Sequence, residues 1–213
     1  NKEAIMPQTE YEAPEGMLDL PEFYHAVKQL DQVIDVDYYL PGCPPEPHQI
    51  WAVLEIVVAA LHEGGELPPK GAIVGAGTNA VCQECPREKT EKAITKFYRP
   101  YEVVPDPDLC LLEQGIVCMG PVTRNGCGAL CPSVGMGCRG CYGAMDGVED
   151  QGAKMLSAIA SVIGAGAEDM EEKDIEEAIE KVVETMADPA GTFYRFGMSN
   201  SLLQRTKING KGE

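Results

Sequence analysis

The stretch that decides the reading is Cys118-Met-Gly-Pro-Val-Thr-Arg-Asn-Gly-Cys127-Gly-Ala-Leu-Cys131-Pro-Ser-Val-Gly-Met-Gly-Cys138-Arg-Gly-Cys141, five cysteines in 24 positions. Toward the amino terminus it is preceded by Cys110 and by the pair Cys82-x2-Cys85, so eight of the nine cysteines lie within residues 82–141. Eight thiolates make two complete sets of four, and four cysteine thiolates are what a cubane iron–sulfur cluster takes. In chain order one set is Cys82, Cys85, Cys110 and Cys118, and the other is Cys127, Cys131, Cys138 and Cys141. An exchange of ligands between the sets stays open, because two-cluster proteins do exchange them. Cys43 stands alone in Pro41-Gly42-Cys43-Pro44-Pro45 and would need three ligands from elsewhere.

Zinc is the competing metal, since two Cys-x2-Cys pairs can build tetrahedral sulfur sites. The pairs here do not alternate as in a zinc ribbon, and 24 residues separate Cys85 from Cys110. Proline follows Cys43, Cys85 and Cys131, as it follows ligands in iron–sulfur runs. Iron–sulfur ligation therefore ranks first, zinc second and disulfides third. The odd count of nine cysteines and the lack of a secretory leader point to a reducing, cytoplasmic setting.

The formal charge of −17 repels phosphate backbones and argues against nucleic-acid binding. Much of it sits in residues 168–188, with ten acidic residues against two lysines, which reads as a solvated helix face. The most apolar run, 50–61, contains Glu55 and falls short of the roughly 20 residues of a membrane span.

Residues 1–20 show no period and read as an arm. The run 20–30 reads as a short helix with Pro21 in its first turn. Residues 33–40 alternate apolar and polar and predict a strand that delivers Cys43 at its carboxyl end, where ligands sit in open α/β sheets. A broad apolar stripe over 46–62, stopped by Gly64-Gly65, predicts a helix. One strand and one helix cannot bury themselves, so residues 1–70 read as the carboxyl-terminal remnant of a larger α/β domain. Gly75-x-Gly77 lacks a third glycine and reads as a connector. From 81 to 143 periodicity fades, and a loop-rich stretch without its own apolar core needs metal to tie it down. Helices are predicted over 148–163 and 169–187, the second with Asp169 and Glu172 at its start and Pro189 at its end.

The run from Cys118 to Cys127, with Cys110 before it and Cys138-x2-Cys141 after, resembles the small, electron-transfer subunit of nickel–iron hydrogenases. Leu40-Pro41-Gly42-Cys43-Pro44-Pro45 is similar to that family's motif for the last ligand of the cluster nearest nickel. The resemblance covers about residues 33–165. It implies an α/β fold in which a flavodoxin-like remnant (1–70) precedes a two-cluster iron–sulfur domain with terminal helices (71–213). It implies that Cys43 is a ligand of a proximal 4Fe-4S cluster whose other ligands are not in this chain. Cys82, Cys85, Cys110 and Cys118 would hold the distal 4Fe-4S cluster, and Cys127, Cys131, Cys138 and Cys141 the medial one. Cys82 stands where respiratory members carry histidine, and Cys131 supplies a fourth thiolate where a proline leaves them three-iron. All-cysteine ligation resembles the cytoplasmic, cofactor-coupled group of methanogens, the viologen-reducing type more than the deazaflavin-reducing type. The implied partners are the nickel–iron large subunit, which carries the catalytic site, and a further electron-accepting iron–sulfur or flavin subunit such as a heterodisulfide reductase module.

Two other classes remain open on the residues alone: a self-standing two-cluster ferredoxin-like carrier and a zinc-stapled binding module. No nucleophile–base pair is visible. The amides of Gly126, Gly128, Gly137 and Gly140 are expected to donate to sulfur. Arg124 and Arg139 either offset cluster charge or pair with surface acids. His48 reads as structural, His25 and His62 as incidental, and Trp51 as core or interface packing.

Overall fold

A computed structural model of the chain describes residues 9–21, 27–90, 93–164 and 172–203. It is a mixed α/β molecule, as the sequence predicts, with few strands and most of its mass in helices and loops. The amino-terminal arm is ordered differently from expectation. Strands β1 (Glu10–Ala13) and β2 (Gly16–Asp19) form an antiparallel hairpin, with Gly16 at φ +135° in the turn. The helix expected over 20–30 lies partly outside the described residues, as does His25.

The strand expected over 33–40 shrinks to β3 (Tyr38–Tyr39). It pairs in parallel with β4 (Ala72–Ile73), which ends just before Gly75-x-Gly77. Helix α1 (Pro47–Glu63) lies between them, and the three make one crossover unit. Its start is set by Pro47 in the first turn and by reciprocal bonds between Glu46 and Gln49, its stop by Gly64 in the left-handed conformation. The apolar stripe of α1 is the surprise. Ile50, Trp51, Leu54, Val58 and Leu61 face outward, Leu61 at 80% exposure, and no other described helix or strand packs on them. Trp51 is thus not core; its Nε1 donates to Glu55 at 2.9 Å.

The core lies in the other half. Helix α2 (Leu130–Ser133) is a single turn inside the cysteine loops, and α3 (Gln151–Gly164) is the axis on which those loops and the last helices pack. Met155 and Ile159 on α3 are essentially inaccessible and meet Leu111, Leu112, Ile116, Met119 and Val122 from the loops. Each such side chain contributes about 1.5–3 kcal/mol on burial. Residues 81–143 thus share a core with α3 rather than building one of their own. Their apolar side chains are too widely spaced for a periodicity search but converge once folded on α3.

Helix α4 (Glu172–Glu184) buries Val182 and half-buries Ile175, Ala178 and Ile179, with its acids outward as expected. The predicted cap at Asp169 lies outside the described residues. Pro189 does not end this helix; it opens α5 (Pro189–Phe193), capped by Asp188, which accepts from the Gly191 amide at 3.0 Å. No helix among the described residues is long and apolar enough to cross a membrane.

Candidate metal centres

The first four cysteines arrive on loops that are individually clamped. A short 3-10 turn, Val81–Gln83, carries Cys82, and the Val81 amide donates to Thr123 O at 2.8 Å. The Cys110 amide donates to Glu88 O at 2.7 Å, which docks the Cys110 loop beside the chain leaving Cys85. Buried Arg87 then ties two segments to its own, donating to the carbonyls of Pro132 (2.7 Å) in α2 and of Asp106 (2.6 Å) and Leu109 (2.9 Å) in one loop. Cys82, Cys85, Cys110 and Cys118 all line one cavity of about 210 Å³, with Arg87, Lys89 and Gly120 also in its wall. A Cβ added at Gly120 would stand 3.2 Å from Cys82 Sγ and 3.4 Å from Cys118 Sγ. A side chain there would crowd both sulfurs by a few tenths of an ångström.

Burial pushes the Cys118 thiol up to about 11 and raises that of Cys82. The amides of Gly120 and Cys138 partly oppose this at Cys118, the latter at 3.3 Å, and the Lys89 charge opposes it at Cys82. Cys118 in the apo chain therefore holds its proton at neutral pH, and taking up a metal means giving it up.

The second four are gathered less tightly. Cys138 is buried, Cys127 and Cys141 are half-buried and Cys131 is exposed. Cys131 sits on α2, whose preceding residue Ala129 is left-handed (φ 50°). Burial lifts the Cys138 thiol to about 12 and raises Cys127 and Cys141. Cys141 feels the charges of Cys127, Cys131 and Cys43, so Cys43 lies at the edge of this group. The Cys138 amide on the Cys118 sulfur makes the two groups adjoin directly.

Helix α1 holds the second group from outside. His48 Nε2 lies 3.1 Å from Gly126 O, one residue before Cys127. Buried Gln49 donates to Gly75 O and accepts from the Tyr142 hydroxyl and the Glu46 amide, the last at 3.0 Å. Gly42 turns the chain into Cys43 at φ +132°, where a Cβ would strike Pro45.

Of the glycine amides expected at sulfur, Gly140 serves Cys138. Gly128 does not: its amide donates to Glu84 Oε2 at 2.9 Å, and Cys127 is served by Ala129 and Leu130 instead. Gly137 is demanded by the Val117 carbonyl, which a Cβ would strike. Arg124 pairs with an acid, Asp146, at 2.5 Å, and reaches Gly77 O at 2.7 Å. Sequence reading missed Arg87, Lys89, Gly120 and Thr123, whose hydroxyl stands at the Cys138 sulfur. Only the Cys-Pro-Arg run hinted at the first. Among the described residues no three His, Cys, Asp or Glu side chains converge on a point where one metal ion would sit.

Eight cysteines thus fall in two adjoining groups on loops packed against a helical core. A family model described as NADH ubiquinone oxidoreductase, 20 Kd subunit, matches residues 6–57. An F420-non-reducing hydrogenase subunit of Methanothermobacter marburgensis is 40% identical over 215 residues, 99% of this chain and 61% of its own length. The corresponding hydrogenase subunit of Methanothermus fervidus is 48% identical over 124 residues, 57% of this chain and 93% of its own. An F420-non-reducing hydrogenase iron-sulfur subunit of Archaeoglobus profundus is 41% identical over 168 residues, 76% of this chain and 50% of its own. The chain belongs to the family that these F420-non-reducing hydrogenase subunits form. It spans about 61% of the length of the Methanothermobacter relative.

Proposed function

We propose that this chain is the electron-relaying part of a nickel–iron hydrogenase small subunit. In this reading Cys82, Cys85, Cys110 and Cys118 hold a distal 4Fe-4S cluster, and Cys127, Cys131, Cys138 and Cys141 a medial one. Cys43 gives one ligand to a proximal cluster completed outside this chain. The observation that carries the reading is the shared cavity of the first four thiols, where Gly120 gives up its side chain to two sulfurs. A single zinc ion holds its thiolates about 2.3 Å from one point, whereas these four are set around a space of about 210 Å³. That donor set and that room suit a polynuclear centre.

Iron–sulfur clusters, when bound, supply one-electron storage at potentials tuned by hydrogen bonds, charge and burial. The chain's own part is to hold the thiols, exclude water and place donors on them. Arg87 and Lys89 put positive charge beside the first set, the amides of Gly120 and Cys138 point at Cys118, and the Gly140 amide points at Cys138. The contact from the Cys138 amide to Cys118 Sγ gives the two sets a direct route of exchange. The uncovered apolar stripe of α1, next to Cys43, is where this reading seats the rest of the flavodoxin-like domain or the large subunit. Electrons released from hydrogen in that subunit would then run from Cys43 through the second set to the first, and on to a heterodisulfide reductase module or similar acceptor. The setting is the cytoplasm.

The test is anaerobic purification of the complex containing the full-length subunit, with iron, sulfide and zinc analysis and spectra of the reduced state. Residues 82–141 should account for about eight iron atoms, two four-iron centres. Cys110→Ser should remove the signal of one centre only. Zinc in place of iron, or iron untouched by Cys110→Ser, would overturn the reading. Purification of the iron-loaded chain alone, with no nickel-binding partner, would point to a self-standing carrier.

A further inference from the structure

The chain has six arginines against its net charge of −17, and the described ones divide sharply. The guanidinium groups of Arg87 and Arg124 are spent on loop carbonyls and Asp146. Arg99, Arg139 and Arg195 come from three separate segments, yet all line one cleft of about 120 Å³. No acidic side chain lines that cleft. Among the described residues none of the three guanidinium groups has an ion-pair partner. A fourth cation, Lys96, stands 4.9 Å above the ring of Tyr98, itself part of the wall. Thr192 adds a hydroxyl, and at Gly137 the wall is bare backbone because a Cβ would strike the Val117 carbonyl.

All three arginines are exposed and screened by water, yet a chain with twice as many acids as bases places none of its acids in this cleft. The arrangement is not explained by the thiol next door. The neighbours that weigh most on Cys138 Sγ are Cys118, Cys141, Thr123 and the Gly140 amide, not these arginines. We propose that the cleft of Arg99, Arg139 and Arg195 is a binding site for a phosphoryl dianion. Guanidinium groups are matched to phosphate oxygens in both geometry and charge. Three of them exceed what one carboxylate neutralises, and a cleft of this size takes one phosphoryl group rather than a nucleotide. Cys138 lines the same cleft, so a bound dianion would add negative charge beside that thiol.

The test is calorimetric titration of inorganic phosphate into the purified complex containing the full-length subunit, in zwitterionic buffer at low ionic strength. AMP forms a parallel arm, because the same phosphoryl group is there carried on a larger molecule. Saturable phosphate binding is expected, about tenfold weaker in Arg139→Ala and about 100-fold weaker in the Arg139→Ala/Arg195→Ala double variant. Lys70→Gln, a charge change at the Asp35 and Asp37 pair outside the cleft, should leave binding intact. AMP tighter than phosphate identifies a carried phosphoryl group, and phosphate equal or tighter identifies the free ion. Lack of saturable phosphate binding in the unsubstituted complex overturns the proposal, as does equal loss in Lys70→Gln. So does binding of a polyglutamate peptide where phosphate fails. Iron measured on the same samples separates the two readings: iron without phosphate binding sinks only this one, and phosphate binding without iron sinks only the proposed function.

Discussion

The two groups of cysteines carry the same donors but are built in opposite ways. The first is enclosed: its loops are tied by Arg87, its wall is closed by Gly120, and behind it stand Leu111, Leu112, Val81 and α3. The second lies at an edge, with Cys131 and Cys43 exposed, and is gripped through α1 by His48 and Gln49. The lesson is that one site is preorganised by the chain's own core. The other leans on an element whose apolar face is itself uncovered.

If that contrast holds, the largest effects come from the thiols. Cys118→Ala should abolish the first centre and leave the second group's iron in place, read as a loss of about four iron atoms. Cys131→Ala should cost iron only in the second group, read by iron analysis with the first centre's signal intact. Next comes Arg87→Met, which strips the donors from three loop carbonyls. About 2–4 kcal/mol of stability should go in denaturant titration, since unsatisfied buried acceptors are expensive. A loss below half of that would mean the first cage does not depend on its clamp.

Gly120→Ala should cost about 1–3 kcal/mol, because the added methyl must displace sulfur atoms in a packed wall. Its diagnostic is selectivity, with the first centre's spectrum perturbed and the second's unchanged. Gln49→Leu should cost about 1–3 kcal/mol by leaving Gly75 O and the Tyr142 hydroxyl unpaired. Hydrogen exchange should quicken near 75–77 and 140–143 and stay slow near 110–119; uniform quickening would erase the distinction between the regions. The smallest effect belongs to Lys181→Gln, which breaks only the exposed pair with Glu177 and should leave iron and melting unchanged.

Much of this was legible along the chain. The set Cys82, Cys85, Cys110 and Cys118, taken in chain order, is the one that lines a single cavity, and Gly64 marked the end of α1 because a C-cap is local chemistry. The burial of α1 was not legible. An apolar stripe states that a face wants cover, and Gln49, a polar residue, turned out to be the buried one. The core contribution of 81–143 was hidden for the converse reason, since Leu111, Ile116, Met119 and Val122 follow no period and meet only through the packing of loops on α3.

Sequence alone thus determined the cysteine spacing, the charge and the end of α1, all properties of residue type and short spacing. Tertiary structure alone decided that Arg87 rather than Arg124 lines the first cavity, and that three distant arginines line one cleft. Those are distances between segments far apart in the chain, set by how loops without period find a common core.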